Sequence, residues 1–105
     1  MKFRGIYTPA ITPLNEDESI DWNGVDTVLE FLIEAGVDGI IIGGTTGEYY
    51  AHSTEEREAA LKRASDVVAG RLPLIGGTGA IRTEDSIAFA KTAKACGYDA
   101  ILITT

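Results

Sequence analysis

IIIGGTTGEYY, residues 40–50, is the stretch on which the reading of this sequence turns. Ile40, Ile41 and Ile42 give no polar alternation, the pattern of a short strand buried on both faces, as in parallel sheets. The strand runs into Gly43 and Gly44, two small hydroxyl residues, Thr45 and Thr46, then Gly47, Glu48 and two tyrosines. A buried strand that delivers its chain to glycines and hydroxyls delivers it to a place where backbone is approached closely.

Outward from that strand, four extended runs alternate with three helical ones. Gly5 to Thr12 (GIYTPAIT) reads as the first strand, broken by Pro9 and closed by Pro13. Asp21 is placed to cap a helix with Val25, Val28, Leu29 and Leu32 at helical spacing, ended by Gly36. Gly39 to Gly43 is the second strand. Ser53-Thr-Glu-Glu56 is a capping box, opening a helix that continues through Leu61, Ala64, Val67 and Val68 to Gly70. Leu72 to Gly76 is the third strand. Thr83 is the expected cap of a third helix carrying Ile87, Ala90, Ala93 and Lys94, stopped by Gly97, and Asp99 to Thr104 is the fourth strand.

The order βαβαβαβ predicts parallel strands joined by right-handed crossovers. AGVDGIII (35–42) and CGYDAILI (96–103) share a Gly-x-Asp-x-Ile-x-Ile frame, and IIGGT (41–45) matches LIGGT (74–78). Repeating βα units suit a (β/α)₈ TIM barrel, which takes about 250 residues. The 105 residues have room for its N-terminal half, so residues 1–105 are expected to be a half-barrel fragment of a single barrel domain. An apolar parallel strand with nothing beyond it leaves an edge unpaired, which reads as truncation.

Composition narrows the partners. Apolar residues make up 45% and charged residues 24%, as in ordinary globular chains, and the net charge of −7 argues against nucleic-acid and anionic membrane surfaces. Glu16, Asp17 and Glu18, and then Glu55, Glu56 and Glu58, read as solvated faces. Cys96 is the single cysteine, so a reducing, cytoplasmic setting is expected, with Cys96 as a small buried apolar residue. No signal peptide or membrane span is apparent. His52 has no metal-spaced partner and reads as a surface loop residue, and neither a metal nor a cofactor is implied.

Parallel α/β folds bind ligands at the carboxyl ends of their strands. GGTTGE lies at that end of strand two and GGTGA (76–80) at that end of strand three. Glycine lets backbone amides approach a ligand, and the Thr45 and Thr46 hydroxyls add donors, a cup suited to an oxyanion. A phosphate loop would need lysine after its last glycine, where Glu48 stands, and the G-x-G-x-x-G dinucleotide pattern is missing from both loops. A small carboxylate is the better guest. Tight βα turns need the same glycines with no ligand at all, and composition leaves both readings open.

GGTTGE followed by STEER, the opening GIYTPAITPLNEDESID, LPLIGGTGA and the closing DAILITT together resemble the dihydrodipicolinate synthase and N-acetylneuraminate lyase family of pyruvate-handling class I aldolases. The resemblance runs through the whole chain in order. It implies a lyase in which Thr45 and Thr46 hold the carboxylate of pyruvate or another 2-oxo acid, with Thr45 also joining a tyrosine-based proton relay. It implies a homo-oligomeric parent enzyme and a lysine imine as the electron sink for aldol condensation, cleavage or sugar-acid dehydration.

The family's imine lysine lies on a sixth strand, and its relay tyrosines lie after strand four and on strand five. Lys2, Lys62, Lys91 and Lys94 match no such position, so the Schiff-base lysine is expected to be absent from this chain, and the isolated chain inactive. Tyr49 and Tyr50 stand where dihydrodipicolinate synthases usually carry small residues, and Ile81 where lysine-regulated members often carry asparagine, which points away from lysine feedback. Glu48 reads as a supporting or capping carboxylate. A flavodoxin-like module that binds an anion without catalysis is the alternative, and a half-barrel that pairs with a second copy is a third reading.

Overall fold

The computed structural model describes residues 3–104. Its sheet has four parallel strands, β1 (Tyr7–Pro9), β2 (Gly39–Ile42), β3 (Leu74–Gly77) and β4 (Ala100–Leu102), in the order β1-β2-β3-β4. Between them lie α1 (Trp22–Ala35), α2 (Thr54–Val68) and α3 (Thr83–Ala95). A flavodoxin-like sheet reverses its strand order at a switch point. No reversal occurs here, and the flavodoxin-like alternative is thereby corrected. Sequential order with right-handed crossovers puts every helix on one face, the arrangement of the N-terminal half of a (β/α)₈ barrel.

Register defines the two faces. Tyr7 pairs with Gly39, Pro9 with Ile41, and Ile41 with Ile75. Ile40, Ile42 and Leu74 alternate with these and enter the core with Val25, Leu29, Leu61, Ala64, Val68 and Phe89. Burying each large member of this set contributes about 1.5–3 kcal/mol. Ile41 and Ile75 lie on the other face, partly exposed, where a closed barrel would have its interior.

Helix starts follow local chemistry with one exception. Asp21 accepts from the Gly24 amide, and Ser53 and Glu56 complete their capping box. Arg82, and not Thr83, is the N-cap of α3, and it makes no side-chain cap. Within α3 the buried residues are Phe89 and Ala93, whereas Ile87 is 51% exposed, because α3 has only α2 beside it. The strands are shorter than their apolar runs: β1 keeps three residues and contains Pro9, which sits at an edge where its missing N–H costs nothing. Cys96 is half-buried at the end of α3, not buried.

The internal repeat has a structural meaning. Gly36 and Gly97 both adopt φ +82°, the left-handed turn that ends α1 and α3. Two residues later, Asp38 accepts the Ile6 amide at 2.7 Å and Asp99 accepts the Leu74 amide at 2.9 Å. Each aspartate thus ties its own strand's start to that of the preceding neighbour in the sheet, at the amino end.

Candidate functional site

At the opposite end of the sheet, β2 and β3 open into their glycine turns. Gly43 takes φ +76° directly after β2. A Cβ on Gly77, the last residue of β3, would overlap the Gly43 carbonyl oxygen, so the two turns touch backbone to backbone and only glycine fits. Thr45 and Thr46 follow as exposed residues, directly after Gly44, whose backbone nitrogen lies near Gly77. Among the described residues no hydrogen bond engages their amides or hydroxyls; the Thr45 carbonyl accepts from Glu48. Two neighbouring donor pairs therefore remain open at a strand's carboxyl end.

Behind the threonines the turn is held from several sides. Gly47 donates to the Gly44 carbonyl at 3.1 Å, and its own carbonyl accepts from the Thr12 hydroxyl at 2.8 Å. His52 Nε2 lies 3.3 Å from the same carbonyl, which requires the proton on Nε2. His52 is therefore a half-buried loop anchor, not a surface residue. Glu48 takes the left-handed conformation at φ 58° before the short 3₁₀ helix Tyr49–Ala51, and its exposed carboxylate makes no capping bond.

Arg57 is the residue that sequence reasoning passed over. It lies in the second turn of α2 and is 8% exposed. Nη1 donates to the Gly79 carbonyl at 2.6 Å and Nη2 to the Gly77 carbonyl at 3.2 Å. The guanidinium carbon stands 4.7 Å from the Tyr49 ring centroid and 4.0 Å from that of Phe89. Burial lowers its pKa from the ordinary value, opposed by nearby Tyr49 and Asp85. Within a run of charges, EEREAALKR, an arginine reads as surface, and only its place on the core face of α2 marked it.

Among the described residues Thr78 is the other buried polar one: its amide and hydroxyl donate to the Leu102 carbonyl, and its carbonyl accepts from Ser86. Tyr49, Tyr50 and Ile81, three separate departures in the sequence, line one cleft of about 550 Å³ beside Arg57. Of the lysines, Lys62, Lys91 and Lys94 are exposed on α2 and α3, and Lys2 lies outside the described residues. The Tyr98 phenol is committed to the Leu61 carbonyl at 2.6 Å, and burial raises its pKa. Among the described residues there is no cluster of metal-ligating side chains, and no helix is long and apolar enough to cross a membrane.

With this geometry in place, comparison with known proteins is direct. Residues 2–105 match the model of the dihydrodipicolinate synthetase family. The chain is 37% identical over 105 residues to the 4-hydroxy-tetrahydrodipicolinate synthase of Bacillus subtilis (strain 168), covering all of this chain and 36% of that protein. It is 39% identical over 101 residues to the N-acetylneuraminate lyase of Rhizobium meliloti (strain 1021), covering 96% of this chain and 34% of the relative. The crystal structure of dihydrodipicolinate synthase from Aquifex aeolicus superimposes with a TM-score of 0.91 at 34% identity, over 96% of this chain and 34% of that one. The chain spans about a third of the length of the relatives it matches.

Proposed function

The chain belongs to the dihydrodipicolinate synthetase family, and from that membership we propose that its GGTTGE turn is the carboxylate-holding part of a lyase acting on pyruvate or another 2-oxo acid. Thr45 and Thr46 bind the carboxylate through their hydroxyls and amides. The observation that carries this reading is the set of unengaged donors at the carboxyl end of β2, where a barrel enzyme places its chemistry. A relative named for N-acetylneuraminate and others named for tetrahydrodipicolinate support the substrate class without choosing within it.

In this proposal the half-barrel binds and orients the acid, and the imine is made by a lysine that residues 1–105 do not supply. The exposed placement of Lys62, Lys91 and Lys94 on helices supports that division. Thr45 takes its place in the proton relay only alongside tyrosines of the remaining barrel. The isolated chain is accordingly inactive, cytoplasmic in setting, and part of a larger homo-oligomeric enzyme.

Two measurements on the 105-residue chain test this. Titration with pyruvate should shift the amide resonances of Gly44 to Gly47, and Thr46→Val should abolish the shift. Borohydride reduction with pyruvate present should leave the chain at its unmodified mass. Efficient labelling of one lysine would sink the division of labour, and unmoved Gly44–Gly47 amides would sink the carboxylate site.

A further inference from the structure

Arg57 is an unusual residue to bury. Among the described residues no carboxylate lies within ion-pair distance of it, so its charge is spent on two backbone carbonyls and two aromatic faces. Charged donors make stronger hydrogen bonds than neutral ones, and a planar guanidinium can bond in its plane while stacking above and below it. Those four contacts lie on three different parts of the molecule. Gly77 ends β3 and Gly79 lies in the turn that follows it, Tyr49 follows directly on the GGTTGE turn, and Phe89 is a buried residue of α3.

We infer that Arg57 is a positioning residue that sets the two glycine turns relative to one another. Gly77, fixed by Nη2, is the residue whose backbone abuts Gly43, so the position of β3's turn is transmitted to the start of GGTTGE. Tyr49, with the guanidinium carbon over its ring, fixes the other end of the same turn. The segment Gly44 to Glu48 is thus pinned at both ends through one side chain. Lysine is a poor replacement, because a compact ammonium lacks the planar fork that reaches both carbonyls while its carbon stands over two ring faces. This inference rests on the carboxylate reading only for what the turns bind, not for how they are held.

The experiment has two arms on the 105-residue chain, with Arg57→Ala and Arg57→Met. In the first, hydrogen exchange at the amides of Gly44–Glu48 and Gly76–Ala80 should quicken by about tenfold or more in both turns together, with α1 unchanged. Methylguanidinium added to Arg57→Ala should restore protection in both turns, which a mere loss of packing would not allow. Arg57→Met, of similar length, replaces the alanine variant in the exchange measurement if the latter does not fold. A uniform rise across the chain, or a rise confined to the β3 turn, overturns the inference.

In the second arm, pyruvate affinity should fall about tenfold in Arg57→Ala and recover with methylguanidinium. Thr46→Val should lose pyruvate while keeping both turns protected. If the wild-type chain shows no pyruvate response, the carboxylate reading fails and the exchange arm alone decides the role of Arg57.

Discussion

The two ends of this sheet are held by opposite means. At the amino end, acidic side chains make the connections: Asp38 to the Ile6 amide and Asp99 to the Leu74 amide, each two residues past a left-handed glycine. At the carboxyl end the strands meet through bare backbone, Gly43 against Gly77, with one buried cation behind them. A side-chain latch consumes the donor it binds, so the amino end is a fastening. After β2 the backbone contact between glycines leaves the amides and hydroxyls of Thr45 and Thr46 unspent, as the proposed carboxylate site requires, whereas those of Thr78 after β3 are taken up by the Leu102 carbonyl. That division follows the general pattern of barrels, with stability at the amino face and chemistry at the carboxyl face.

Gly77→Ala is the most severe way to break the comparison. The new methyl would overlap the Gly43 carbonyl oxygen, which is backbone and cannot rotate away, so a loss of about 3 kcal/mol or more is expected. Urea denaturation measures it. A well-tolerated alanine would mean that the turns are not in backbone contact.

At the other end the expected costs are smaller. Asp99→Ala removes one part-buried bond and should cost about 1 kcal/mol, and Gly97→Ala a similar amount through its positive φ alone, since nothing lies within 4 Å of the added carbon. Asp38→Ala should cost less, because its bond is exposed. If the two aspartates cost as much as Gly77, the distinction between fastening and binding ends is lost.

The helix layer supplies a reference for side-chain ties that serve neither end. Asp26 and Arg63 form a bidentate pair, with side chains 35% and 40% exposed. The hydrogen bond from Arg63 holds the Asp26 carboxyl below its ordinary value of 3.8, a depressed folded-state pKa. Its stabilisation is therefore present above pH 3.8 and lost as the pH falls through the lower folded value. Asp26→Asn should cost about 0.5 kcal/mol at neutral pH, screened by solvent, and the difference from wild type should shrink in thermal melts below that pH.

The smallest expected change in stability is the most telling for function. Thr45→Val alters an exposed residue whose side chain makes no internal bond, so the free energy of unfolding should stay within about 0.5 kcal/mol. Pyruvate binding should nonetheless weaken. A variant that unfolds readily would show the threonine serving the fold, and the two ends would no longer differ in kind.

Much of the fold was legible because its signals are local. Asp21, the Ser53–Glu56 box, and Gly36 and Gly97 mark helix ends through bonds spanning a few residues, and the structure places them there. Strand limits were overextended, since an apolar run such as GIYTPAIT goes on past the last residue that finds a ladder partner. Thr83 has the composition of a cap without its geometry, and Ile87 has helical spacing without a neighbour to cover it. The strand order that dismissed the flavodoxin-like alternative carries no local signal.

The sequence alone determined the alternation of strands and helices, the repeated Gly-x-Asp frame and the glycine–threonine turn, because caps, periodicity and backbone freedom act over a few neighbouring residues. Tertiary structure alone decided that Asp38 and Asp99 latch adjacent strands, that Gly77 meets Gly43, and that Arg57 lies over the rings of Tyr49 and Phe89. Those contacts join residues more than thirty positions apart in most cases, and their partners are backbone amides, carbonyls and ring faces that every residue or many residues carry. Nothing in a residue's own identity states which distant carbonyl it will find, and only the register of the packed sheet and helices supplies that answer.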